Sequence, residues 1–248
     1  MLSNKISLVK KYIKLSKLRV VELLLVTTVP SMIVSLYSMP PLNLVAYTLI
    51  GGTLLAVSAN VMNQVFEIDR DKLMTRTSDR PLVTGDLKKS SAIIYSIVMG
   101  VIGFMVLYFL TTPTAALIGL IANQFYIFVY TLILKPRTNQ NIVIGGAAGA
   151  APVLIGWTAT GSTLDVGAWL LFLLVFMWTP AHFWALSIEN ESDYKNADFP
   201  MLPTQETHER SSIYIAIYSC ATVLISIAAA PVLQLGIVYL SLARCNKT

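Results

Sequence analysis

LVAYTLIGGTLLAVSANVMNQVFEIDRDK, residues 44–72, decides the fold. Its first part, residues 44–66, is apolar over enough length to cross a hydrocarbon core of about 30 Å as a helix. It then runs without a break into Glu67-Ile68-Asp69-Arg70-Asp71-Lys72. Working outward, comparable apolar runs occupy about 20–37, 91–110, 114–134, 141–160, 167–188 and 212–230, with a shorter stretch at 232–243 after Pro231. The alternating polar and apolar pattern of barrel strands is absent. These runs predict an all-α, polytopic transmembrane helical bundle of about eight spans.

Composition agrees. Of 248 residues, 55% are hydrophobic and 12% charged, and mean hydropathy is +0.67. Soluble domains carry charge on roughly a quarter of their residues, so a soluble enzyme and a disordered tail are excluded. Cys220 and Cys245 stand alone near the end, which leaves no disulfide framework and no CxxC site. The net charge of +5 is too thinly spread to suggest nucleic acid; it reads as topology and as affinity for headgroups or phosphates. With eight spans, all 18 Lys and Arg fall on one side, while the loops at 38–42, 111–113 and 161–166 have none. The positive-inside rule then puts both termini in the cytoplasm. Residues 1–19 are basic, with Ile6, Val9 and Ile13 at helical spacing, as in a helix lying on the cytoplasmic leaflet. They are not a secretory signal, and they run straight into a span as an organellar presequence would not. The expectation is a multi-pass plasma-membrane protein, with the mitochondrial inner membrane as the alternative. No linker or repeat divides the chain, so 1–248 reads as one domain.

Two cytoplasmic segments, 67–90 and 189–211, hold nearly all of the acid. If the helix of residues 44–66 continues, Asn63, Glu67 and Asp71 stand at i, i+4 and i+8, drifting only about 40° per step, so one face carries an amide and two carboxylates. Glu189 and Asp193 repeat that spacing where the sixth span ends. Facing each other, the two sets would offer hard oxygen ligands to Mg²⁺, which bridges carboxylates to phosphate oxygens. Arg70, Lys72, Arg76 and Arg80 lie in or just after the first acidic set, and Lys135 and Arg137 are on the same side. Acid that needs a cation beside base that needs an anion points to a metal-bound phosphate ester. The alternative is a pair of solvated loops with surface ion pairs worth about 0–1 kcal/mol each.

These residues resemble the UbiA-type intramembrane prenyltransferases. The first motif of that family is Asn-x-x-x-Asp-x-x-x-Asp followed by a basic stretch ending in Arg-Pro; here it is Asn63, Glu67, Asp71, then Arg76-Thr77 and Arg80-Pro81. Further matching stretches are Arg19 to Pro30, Tyr130 to Lys135, Arg137 to Ala150 and Ile155-Gly156-Trp157. His182-Phe183-Trp184, Asp193-Tyr194 and Pro200-Met201-Leu202-Pro203 are similar to the heme-modifying branch of the family. The resemblance covers about residues 14–240. It implies transfer of a farnesyl group from farnesyl diphosphate to a vinyl carbon of heme b, giving heme O for terminal oxidases. It further implies Mg²⁺ held by Asn63, Glu67, Asp71, Glu189 and Asp193, with Asn63, Glu67, Asp71 and Asp193 as the catalytic set. Arg70, Lys72, Arg76, Arg80, Tyr130, Lys135, Arg137, His182 and Tyr194 would bind substrate. Heme A synthase or oxidase assembly factors are the partners it suggests. Glu67 departs from the usual Asp, keeping the charge on a longer arm. The family has nine spans, so a last helix is expected to be missing.

The other polar and aromatic residues have competing readings. His182, an imidazole in a span, is either a heme-orienting group or an interhelical hydrogen bonder. Glu22 is either part of the pocket or a structural ion pair. His208 reads as solvated, Asn123 and Gln124 as helix-to-helix hydrogen-bonding groups, and Gly145-x-x-x-Gly149 as a packing face. Tyr126, Trp157, Phe176 and Trp178 read mostly as core or interface aromatics. A quinone precursor or lipid alcohol as acceptor is the rival enzyme reading. A transporter, scaffold or heme-handling subunit is the rival class, disfavoured because the acids gather at one membrane face rather than the midplane.

Overall fold

In the computed structural model, residues 2–236 are described, with the backbone alone for 2–7 and 19–25. Glu22 and the side chain of Arg19, Cys245 and most of the expected stretch at 232–243 lie outside the described side chains. The described residues form helices joined by turns and loops, without strands. In chain order they form α1 (Leu2–Ser16), α2 (Leu18–Leu36), α3 (Leu42–Asp71), α4 (Lys89–Leu110) and α5 (Pro113–Gln124), which passes directly into a π-helical segment (Phe125–Leu134). Then come α6 (Asn141–Ala159), α7 (Val166–Glu189), the short α8 (Glu191–Asn196) and α9 (Leu202–Gln205), and α10 (His208–Val232). Six of these, counting α5 with its π continuation as Pro113–Leu134, are long and apolar enough to cross a membrane, and α2 adds an apolar stretch at Val26–Leu36. The chain is an integral membrane protein.

Local chemistry sets the boundaries. Thr112 caps α5 by accepting the N–H of Ala115, with Pro113 in the first turn, where its missing N–H costs nothing. Asp165, one of the two acids outside the clusters, caps α7 by accepting the N–H of Ala168, and Thr207 caps α10 by accepting that of Arg210. Asp165 is therefore accounted for as a structural residue. At the α1–α2 junction Lys17 has φ 50 and ψ 50, a left-handed conformation costly for a residue with a Cβ.

α3 packs along α4, α6 lies against α2, α5 and α7, and α10 lies on α7. Close approach depends on small residues. A Cβ on Gly156 would stand 2.5 Å from the carbonyl oxygen of Thr28, which brings α6 against α2. One on Gly145 would fall 2.3 Å from the Tyr130 ring, so half of the expected glycine face serves to seat that tyrosine. Asn123 donates to the carbonyl of Leu55 at 2.8 Å, tying α5 to α3 as a helix-to-helix hydrogen bond.

At the two acidic segments, one boundary follows the sequence expectation and one departs from it. α3 runs for 30 residues to Asp71, so the helix does continue through Glu67 and Asp71 and the connecting segment is 72–88. Conversely, α7 stops at Glu189. Asn190, at φ −112 and ψ 24, breaks the helix before α8 begins, so Glu189 and Asp193 do not share a continuous helical face.

Candidate active site

The extended α3 carries Asn63, Glu67 and Asp71 into the interior, where they are 2%, 5% and 2% exposed. Carboxylates that deep remain charged only when paired. Lys135, just past the π-helical segment, puts its Nζ 2.6 and 2.7 Å from the two Glu67 carboxylate oxygens. Arg80 pairs with Asp71 through Nη1, and the Thr77 hydroxyl donates to the Asp71 carbonyl at 2.8 Å. Asn63 donates from Nδ2 to Thr131 Oγ1 at 3.3 Å. The π-helical register matters here. Lys135 N donates to Tyr130 O at 2.8 Å, five residues back, and this wider turn sets the residue that reaches Glu67.

The second acidic segment meets the first at Asp193. This carboxylate, 7% exposed, accepts the backbone N–H of Thr75 at 3.0 Å and that of Arg76 at 2.9 Å. The Arg76 N–H, foremost, holds its pKa below the ordinary carboxylate range, opposed by burial. Asp193 is thus fastened four and five residues beyond Asp71, which brings the two acidic segments together. Asn141, at the start of α6, ties the second segment to that helix by donating to the Pro200 carbonyl at 3.2 Å. Tyr194 is buried in a cluster with Tyr130, Phe199 and Met74, and burial raises its phenol pKa, while the neighbouring Arg76 lowers it.

Not every expected residue arrives. Glu189 is exposed at the end of α7, outside the buried carboxylate group, because the helix break at Asn190 turns Asp193 inward without it. Lys72 is exposed and pairs with the exposed Asp69 at 3.0 Å. Arg137 is exposed too, and its Nη1 donates to the carbonyls of Leu132 and Ile133 at the end of the π segment. His182 lies on the exposed side of α7, its ring stacked on Trp178 with centroids 4.3 Å apart. Arg70, Arg76, Arg80 and Lys135 do converge on the two segments. Among the described residues, no three of His, Cys, Asp and Glu gather as a ready metal cage, since each buried carboxylate already faces a base or backbone N–H groups. The donor set itself, three buried carboxylates and an amide, is hard oxygen chemistry that fits Mg²⁺.

Sequence reasoning missed Lys17 and Phe199. Lys17, half-buried, reaches within 3.5 Å of Asn63 Oδ1, and burial, then repulsion by Arg80, lowers its pKa to about 7. Its place as the last lysine before the first span was a usable signal; its left-handed backbone was not. Phe199 has Arg70 and Lys135 over its ring.

The family model described as the UbiA prenyltransferase family matches residues 24–245. The chain belongs to the UbiA prenyltransferase family. Among its relatives, the protoheme IX farnesyltransferase of Parafrankia sp. (strain EAN1pec) is 49% identical over 231 residues, covering 93% of this chain and 74% of the relative. That of Frankia casuarinae is 48% identical, covering 92% and 79% respectively. Among solved structures, a UbiA homolog from Archaeoglobus fulgidus bound to GPP and Mg²⁺ superposes with a TM-score of 0.74 at 20% identity, covering 94% of this chain and 82% of that one. At that identity the likeness establishes the UbiA fold.

Proposed function

We propose that the chain is a protoheme IX farnesyltransferase, moving a farnesyl group from farnesyl diphosphate to a vinyl carbon of heme b, with water supplying a hydroxyl, to give heme O. One observation carries the chemistry: Asp193 of the second cytoplasmic segment is anchored on the backbone of Thr75 and Arg76, just beyond the buried Glu67 and Asp71. The acceptor is inferred from the curated relatives, 48–49% identical over more than nine-tenths of the chain and named for that reaction.

Asn63, Glu67, Asp71 and Asp193 are the residues proposed to hold Mg²⁺, which when bound neutralises diphosphate oxygens. The basic residues do the rest. Arg80 and Lys135 pair with Asp71 and Glu67, and Arg70 and Arg76 stand in the same region, so four permanent cations accompany three carboxylates and the site is suited to an anion. As the allylic carbon–oxygen bond breaks, negative charge grows on the departing pyrophosphate, and these fixed cations stabilise it where it develops. Lys135 and Arg80 are already paired with Glu67 and Asp71, so both cations are in place before substrate arrives. Tyr126 and Tyr130, with ring centroids 5.0 Å apart, border the carboxylates with an apolar wall that excludes water from the allylic cation. On the acceptor side, His182, exposed on a membrane helix and stacked on Trp178, is the group proposed to meet the heme. The relatives are bacterial, which favours the plasma membrane, and heme O would pass to a heme A synthase or to oxidase assembly factors.

The test is purified chain with farnesyl diphosphate, Mg²⁺ and heme b, read by mass. Farnesylated, hydroxylated heme is the expected product. Prenylation of a quinone precursor or lipid alcohol, with heme untouched, would overturn the acceptor and leave the diphosphate chemistry standing.

A further inference from the structure

Phe199 has no part in the mechanism above, yet two of its cations rest on it. The ring is 3% exposed, in the second cytoplasmic segment, between Asp198 with its left-handed φ of 52 and Pro200. Its backbone is tied on both sides: the N–H donates to Tyr194 O at 3.0 Å, and the carbonyl accepts from Met201 N at 2.8 Å and Thr204 Oγ1 at 3.2 Å. Arg70 Cζ, from the last turn of α3, and Lys135 Nζ, from the end of the π segment, each stand 4.6 Å from the ring centroid. One buried aromatic therefore joins three segments distant in sequence.

The two cations differ in what else they touch. Lys135 is shared with Glu67, whereas among the described residues no carboxylate pairs with Arg70. A guanidinium held against a buried ring without a counter-ion is already oriented and still has its full charge to offer an anion. The ring also attracts Lys135, so one aromatic orients a cation from each of two segments. An aliphatic side chain of similar size would fill the space and provide neither effect.

We infer that Phe199 is a positioning residue for the diphosphate, its ring aligning Arg70 and Lys135 on the leaving group only when the second cytoplasmic segment is seated. This rests on the diphosphate reading above and deepens it, because it makes the seating of one segment a condition for the cations of the other. Phe199 touches cations rather than substrate, so its effect is on how tightly pyrophosphate is held.

Ring fluorination separates this role from packing, since each fluorine drains charge from the aromatic face with little change in volume. The full-length chain would carry phenylalanine with one, two or three ring fluorines at position 199. The readouts are the affinity for inorganic pyrophosphate with Mg²⁺ by calorimetry and KM for farnesyl diphosphate. The expected result is a stepwise loss of pyrophosphate affinity, reaching about three- to thirty-fold with three fluorines, with KM rising in parallel. If the unsubstituted chain binds pyrophosphate and the fluorinated series binds it equally well, Phe199 is packing alone and the inference is overturned. If the unsubstituted chain binds no pyrophosphate, the functional reading falls and takes this inference with it.

Discussion

At the residue scale, the site depends on charges kept in the interior by their partners. Replacing Lys135 by Met leaves Glu67 buried and unpaired, which should cost about 3–5 kcal/mol of stability, measurable as a lowered thermal midpoint in detergent. Adding Glu67→Gln to that variant should recover much of the stability and none of the turnover. Asp71→Asn should lower turnover by about 10²–10³-fold, as expected when charge stabilisation in a transition state is lost. Asp71, Glu67 and Asn63 were legible in the sequence because four-residue spacing on one helix survives folding, and α3 indeed runs through all three. Glu189 followed the same spacing rule and was misplaced, because four-residue spacing means one face only where the helix is unbroken. The break at Asn190 left Asp193 alone to turn inward. Lys17 and Phe199 owe their places to left-handed backbone at Lys17 and Asp198, which no periodicity announces.

At the element scale, the helices follow hydropathy, but details that no hydropathy pattern shows aim the site. The π-helical turn that delivers Lys135 to Glu67 is one, and the seat under Tyr130 is another. Gly145→Ala would press a methyl into the Tyr130 ring and should destabilise the chain by about 1–3 kcal/mol while disturbing turnover. Gly149→Ala is the control: its nearest neighbour is 4.0 Å away, so it should be neutral or slightly stabilising in the same melting experiment. The amphipathic α1 is fastened to the connecting segment by Lys11 to Asp86 and Lys14 to Asp79, both 2.6 Å and both exposed. These lysines, first of all, hold the two carboxyls below their ordinary pKa. A depressed carboxylate pKa stabilises the folded state above the unfolded value and loses that contribution as pH falls through the folded one. Protection of the α1 amides, taken relative to their intrinsic exchange rate at each pH, should therefore be unchanged from neutral pH down to the usual carboxylate range and fall below it, and high salt at neutral pH should lower it in the same way. Exchange that is insensitive to both would show that the ion pairs do not hold the helix.

At the scale of the whole molecule, the bundle brings together two acidic segments more than a hundred residues apart in sequence. Hydropathy alone made the all-helical membrane fold legible, since apolar runs of spanning length have no other arrangement that satisfies their backbone groups. It also put the acidic segments at helix ends, but only tertiary structure could show that backbone N–H groups of one segment bind the carboxylate of the other. On this reading Asp71 and Asp193 belong to a single catalytic site. The most direct measurement is a double-mutant cycle on heme farnesylation, using Asp71→Asn, Asp193→Asn and the pair in folded, purified protein. The account predicts that each single change costs about a hundredfold or more and that the pair costs little beyond the worse single, as for groups that act as one unit. Near-normal turnover in either single variant, or losses that multiply in the pair as for independent sites, would contradict it.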